Sequence, residues 1–175
     1  MACMFEKFAD QSPVLLLRDF VLASCCRSQN PFARIARKED PAEVVFEDDQ
    51  FIAFWDSHKA SQTHFLIVPK DGAVRDASLL NAKHVDMLEA MIAVARQLIR
   101  EEARLTNNQQ RTQAILGFHL PPVAKVPHLH MHCIAPRVKM GWRARLLFWP
   151  DSPWFVTADT LLRRLQEKQR AHITI

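Results

Sequence analysis

The amino-acid sequence predicts an α+β domain, a five-stranded antiparallel sheet with one long helix and a C-terminal helix. Three observations predict it. Two apolar runs joined by a short acidic turn read as a hairpin, which is an antiparallel pair. A later stretch alternates histidine with apolar residues at the period of a strand. Between the strand-like runs lies one long segment whose apolar positions follow the helical period.

The domain begins at Pro31-Phe32-Ala33-Arg34-Ile35. Val44-Val45-Phe46 and Phe51-Ile52-Ala53-Phe54 are the first two strands, joined by the turn Glu47-Asp48-Asp49-Gln50. A polar loop follows Trp55-Asp56-Ser57-His58-Lys59, and His64-Phe65-Leu66-Ile67-Val68, closed by Pro69, is the third strand. From about His84 to Arg104, Leu88, Met91, Ile92, Ala95, Leu98 and Ile99 recur at i, i+3, i+4 and i+7, with Glu89, Arg96 and Arg100 between them. This is the long helix. Asn107-Asn108-Gln109-Gln110 interrupts, and Ala114-Ile115-Leu116-Gly117-Phe118 is the fourth strand. The segment from His119 to Val126, with Pro121-Pro122, is a loop.

The fifth strand is Pro127-His128-Leu129-His130-Met131-His132-Cys133-Ile134-Ala135-Pro136, with three of the chain's eight histidines at every second position. As a strand it sends His128, His130 and His132 to one face and Leu129, Met131 and Cys133 to the other. A helix would split the histidines, and the flanking prolines oppose one. In a strand the first and third histidines stand roughly 13 Å apart, whereas each metal ligand lies about 2 Å from its ion. One ion cannot take all three, although two neighbours and a distant third ligand could share one. Beyond Pro136 come a basic, tryptophan-containing connection and a final helix from about Asp159 to Arg170, with Leu161, Leu162 and Leu165 on its inner side.

At 175 residues the chain is one domain, residues 30–175, preceded by an extension, residues 1–29. In the extension Leu15, Leu16, Asp19, Phe20, Leu22 and Ala23 fit a short amphipathic helix. Its apolar runs, split by Arg18-Asp19, are too short for a signal core or a membrane span, so no membrane partner is expected. A hydrophobic fraction of 49% with 24% charged residues fits a globular fold. The net charge of +4 suits an anionic ligand such as a phosphate ester and is too mild to argue nucleic acid alone. Cys3, Cys25, Cys26 and Cys133 form no Cys-x-x-Cys, so a cytoplasmic setting, or a nuclear one, is expected.

His-Leu-His-Met-His-Cys-Ile, residues 128–134, resembles the motif of the histidine triad family. Phe32 to Asp49, Phe54-Trp55-Asp56 and Thr63-His64-Phe65-Leu66-Ile67-Val68-Pro69-Lys70 are similar to parts of its nucleotide-binding branch. So are Leu116-Gly117-Phe118-His119-Leu120-Pro121-Pro122 and Trp154-Phe155-Val156-Thr157-Ala158-Asp159. The resemblance implies the family's fold and hydrolysis at the α-phosphate of an AMP derivative, typically an adenosine phosphoramidate. It implies His130 as the nucleophile that becomes nucleotidylated, with His128 and His132 on the non-bridging phosphate oxygens. His64 would be the relay behind them, Asp56 the ribose ligand, and Phe32, Ile35 and Phe54 the slot for the base. By themselves His64 reads as a strand-end histidine, Asp56 as a solvated loop carboxylate and the three apolar residues as core packing. A homodimer is implied; a cofactor is not.

Two departures and one alternative bear on this. Many members carry serine three residues before the first triad histidine, a contact for phosphate or leaving group, and Lys125 stands there. Where some members bind structural zinc through Cys-x-x-Cys, this chain has Asn30, Pro31, Phe32 and Ala33. Gly117-Phe118-His119 also resembles the Gly-aromatic-His element of the branch that removes adenylate from DNA ends, which places His119 at the phosphate. The basic residues Arg137, Lys139, Arg143 and Arg145 are few for a DNA groove, so nucleic acid is the less favoured partner. A third reading is a slow or non-catalytic nucleotide-binding scaffold.

Overall fold

A computed structural model describes residues 30–106 and 113–173. The amphipathic stretch before residue 30, Cys3, Cys25 and Cys26, and the interruption at Asn107 to Gln110 lie outside the described residues. The chain runs α1 (Pro31–Ala36), β1 (Val44–Glu47), β2 (Phe51–Trp55), β3 (Thr63–Pro69), α2 (Val85–Leu105), β4 (Ile115–His119), β5 (Met131–Ala135), α3 (Trp142–Leu147), β6 (Phe155–Thr157) and α4 (Ala158–Ile173). The sheet is antiparallel, in the order β1-β2-β3-β5-β4-β6.

The sheet has six strands where five are expected. The additional strand, β6, is three residues long, too short to show an alternation, and it exists by pairing Phe155 with His119 and Val156 with Phe118. The triad strand is also shorter than its sequence suggests. Regular pairing begins only at Met131, so His128 and His130 precede the strand and only His132 lies within it.

Strand alternation sorts the core into two sides. Phe51, Ala53, Phe65, Ile67, Met131, Cys133 and Phe118 point to the side covered by α2 and α4, where they meet Leu88, Met91, Ile92, Leu98, Leu161 and Leu165. Each large aliphatic or aromatic side chain fully buried there contributes about 1.5–3 kcal/mol. On the opposite side Ile52, Phe54, Leu66 and Val68 receive Phe32 and Ile35 from α1. Further along that side, Ile115, Ile134 and Phe155 receive Met140 and Phe148. The histidines open between these two smaller clusters. No helix among the described residues is long and apolar enough to cross a membrane.

Candidate active site

Register brings the site together. Phe54, Leu66, His132, Gly117 and Thr157 stand in one row across β2, β3, β5, β4 and β6. Two residues from Leu66 and from Gly117, hence on the same face, lie His64 and His119. The His132 ring is 5.3 Å from that of His64, 4.9 Å from His119 and 5.1 Å from His130, centre to centre. His64, His119, His128 and His132 are all buried.

The hydrogen bonds assign a tautomer to each ring. His130 Nδ1 lies 2.7 Å from the carbonyl oxygen of His128. A carbonyl only accepts, so Nδ1 carries the hydrogen and Nε2 keeps a lone pair. His64 Nδ1 accepts the Ala60 N–H at 3.1 Å, which places the His64 hydrogen on Nε2. That nitrogen stands 3.0 Å from His132 Nδ1 and 3.3 Å from Asp56 Oδ2. His132 Nδ1 therefore accepts, and its own hydrogen sits on Nε2. This Nε2 is buried and has no hydrogen-bond partner among the described residues. A buried donor without a partner marks where an acceptor is expected to come.

His128 is turned out of the row. Its Nε2 donates to the Pro69 carbonyl at 2.7 Å, so that nitrogen is already engaged. It lines a cavity of about 500 Å³ together with Asn30, Arg37, Lys70, Asp71, Arg75 and Pro127, a setting with three cations and one carboxylate beside the triad.

Burial sets the charge of these rings. His130, His128, His64 and His119 are held below the ordinary imidazole range chiefly by burial, which disfavours the cation. Asp56 opposes this at His64 without outweighing it. His132 is pushed furthest, by burial and then by His130, His64 and His119 around it. All five rings are neutral at pH 7.

Phe32 meets the Phe54 ring at 5.6 Å and the His130 ring at 4.9 Å, and Ile35 packs in the same cluster. The apolar candidates thus stand beside the nucleophile candidate. Asp56 is on the loop after β2, where its Oδ1 accepts the His58 N–H at 2.8 Å and its Oδ2 faces His64. Lys125 is exposed and makes no hydrogen bond or ion pair among the described residues; it is the one candidate not gathered with the rest.

Asp56, His64 and His132 bring one ligand atom each within 4.8 Å of one another. They do not fit a metal ion. The Ala60 N–H already occupies the His64 Nδ1 lone pair, so Nε2 bears the hydrogen and offers none.

Sequence reasoning missed several groups. Asn30 caps α1 by accepting from the Phe32 and Ala33 amides, and its Nδ2 donates to Pro127 O at 3.0 Å. This ties the helix to the entrance of the triad. An asparagine before proline is a helix-start signature, so the cap was readable, whereas the tether was not. Phe148 packs its ring at 5.6, 4.9 and 5.1 Å from His64, His119 and His132, and no motif marks it. The carbonyls of Pro69, His128 and Trp154 orient rings and leave no side-chain trace.

A family model described as "Scavenger mRNA decapping enzyme C-term binding" matches residues 29–147. A HIT family hydrolase from Legionella pneumophila Philadelphia 1 is similar in structure, with 29% identity and a TM-score of 0.55 over 66% of this chain and 99% of that one. The chain belongs to the histidine triad family. Within it, adenosine 5'-monophosphoramidase HINT3 of Mus musculus is 35% identical over 140 residues, 78% of this chain and 81% of that protein. The protein of the same name from Xenopus tropicalis is 36% identical over 137 residues, 77% and 86% of the two chains. An aprataxin ortholog, Hnt3, solved in complex with DNA, shares the fold at 23% identity and a TM-score of 0.59 over 78% of this chain and 74% of that one.

Proposed function

We propose that the chain is a nucleotide hydrolase that cleaves the P–N bond of adenosine 5'-phosphoramidates through a nucleotidyl-histidine intermediate on His130. The observation that carries this is the 2.7 Å bond between His130 Nδ1 and the His128 carbonyl, which leaves a neutral Nε2 lone pair beside an apolar slot. A neutral imidazole held in one tautomer is what nucleophilic attack on phosphorus requires. The similarity to two adenosine 5'-monophosphoramidases supports the substrate class.

His130 Nε2 attacks the α-phosphorus; the P–N bond breaks with its electron pair on nitrogen, which takes a proton from water. Water then attacks the same phosphorus, the bond to Nε2 breaks, and AMP leaves with His130 neutral again. His132 Nε2–H donates to a non-bridging oxygen, where charge grows in both steps. His64, donating from Nε2, keeps the His132 hydrogen on the side facing the phosphate. His128 acts through its carbonyl on His130, and its ring lines the cavity of three cations and one carboxylate that receives anionic charge. Asp56 holds the loop after β2 and takes the ribose hydroxyls when substrate displaces it from His64. Phe32, Ile35 and Phe54 hold the base.

The test is the mass of the protein after mixing with adenosine phosphoramidate. An adenylate adduct is expected, absent in His130→Ala, whose turnover is abolished while nucleotide affinity stays within about tenfold. Unchanged turnover in that variant overturns the assignment. One observation favours a second reading: His119, after Gly117-Phe118, lies against His132, as removal of adenylate from nucleic-acid ends would use it. Faster processing of adenylated nicked DNA than of the phosphoramidate selects that reading, and no adduct with either substrate selects a binding scaffold. Domain limits of 30–175 with residues 1–29 as an extension, a homodimer and a cytoplasmic setting complete the proposal.

A further inference from the structure

Eight large apolar side chains are strongly exposed among the described residues, and five of them fall between Arg137 and Pro150. They are Val138 at 51% exposure, Trp142 at 73%, Leu146 at 49%, Leu147 at 44% and Trp149 at 59%. Single exposed apolar residues need no explanation, but a concentration does.

Helical spacing joins them. Trp142 and Leu146 are four apart on α3, and Trp149 follows three later, its N–H 3.4 Å from Leu146 O. The inward face is occupied separately, by Ala144 and Phe148 packed with Met140, Ile134 and Phe155. So α3 is held by one face and presents a second apolar face to solvent. Arg145 donates to Met140 O at 3.0 Å and to Val138 O at 2.9 Å, which pins Val138 beside the helix.

The charge along this segment has one sign, with Asp151 directly after it and Asp159 sharing a cavity with Arg137. No Asp or Glu occurs between Pro136 and Pro150, whereas Arg137, Lys139, Arg143 and Arg145 do. The Arg143 guanidinium lies 5.1 Å from the Trp142 ring centre, and Arg137, Lys139 and Arg143 make no ion pair among the described residues.

We propose that α3 and its flanks form a docking surface for an anionic lipid bilayer. A single-stranded nucleic acid would use the tryptophans and the cations but has no use for exposed valine and leucines. A bilayer interface uses all of them: indole rings at headgroup level, aliphatic side chains at the acyl boundary, and cations against anionic headgroups. The expected absence of a membrane partner concerned apolar runs long enough to span; a helix lying in the interface needs no such run. This surface is separate from the catalytic reading and stands or falls without it.

The test is flotation of the full chain with vesicles of phosphatidylcholine alone and of phosphatidylcholine with about one third phosphatidylserine. Flotation with the mixed vesicles is expected, and little with the neutral ones. Binding at least about tenfold weaker is expected for Trp142→Ser with Leu146→Ser and Trp149→Ser, and for Arg137→Gln with Lys139→Gln and Arg143→Gln. Circular dichroism confirms that both variants fold. No flotation of the wild type, or equal flotation of all three proteins, overturns the proposal. In that event, loss of oligonucleotide binding in the variants assigns the face to nucleic acid, and conversion of a dimer to monomers assigns it to a second copy.

Discussion

At the scale of single residues, the site is a set of proton positions. His130 is a lone pair at Nε2 because the His128 carbonyl holds its other nitrogen, and His132 is a donor at Nε2 because His64 donates to its Nδ1. Replacing His132 by Phe keeps an aromatic ring at this position and removes that donor. We expect kcat for the phosphoramidate to fall by about 10²–10³, the cost of losing one donor to developing phosphate charge, with a much smaller change in KM. Steady-state kinetics check this, and a kcat close to wild type would remove His132 from the phosphate. The motif alone marked His130 and its neighbours. It could not assign tautomers, because the carbonyls and amides that set them come from the chain's own fold around each ring. Nor did it reveal that His128 bonds Pro69, since that contact depends on where β3 ends relative to the triad.

At the scale of elements, two short pieces position the site. Helix α1 is six residues long and has no fully buried residue, so it depends on its cap and on Phe32 and Ile35. Asn30→Ala removes the cap at a cost of about 0.5–2 kcal/mol and also frees Pro127 O. A lower melting temperature is expected together with a raised KM, since the base slot and the triad entrance loosen together; an unchanged KM would separate α1 from substrate binding. The second piece is β6. A Cβ on Gly117 would stand 2.5 Å from Val156 O and 2.6 Å from the Phe155 ring, so β6 lies where only glycine admits it. Gly117→Ala is expected to destabilise by about 1–3 kcal/mol, read from the urea midpoint, and to lower kcat by shifting His119 and Phe148. The long helix was legible because its buried positions follow the helical period, and the four inner strands because each is a short apolar run, buried on both faces and bounded by polar or proline-containing turns. β6 and α1 were not, because three or six residues carry too little periodicity.

At the scale of the whole molecule, a single fold keeps five imidazoles neutral. Each is held below the unfolded value of about 6.5, so below that pH the unfolded chain binds more protons than the native one. Stability is therefore fully present above about pH 6.5 and is lost as pH falls through that value toward the folded ones. Melting temperatures taken from pH 7.5 down to 5.5 are expected to drop steadily, and less so in His132→Phe, which removes the ring pushed furthest. A flat profile would mean the rings are not buried neutral.

The sequence by itself determined the α+β class, the histidine triad and the opposite faces of His132 and of Met131 and Cys133 on the triad strand, because these depend on local period and residue type. It also marked His64, Asp56 and His119 through resemblance, though not what they touch. Only the tertiary structure decided the row from Phe54 to Thr157, the proton on each ring, the Asn30 tether and the packing of Phe148 on the histidines. Those depend on register and on contacts between residues far apart in the chain, which no local pattern encodes.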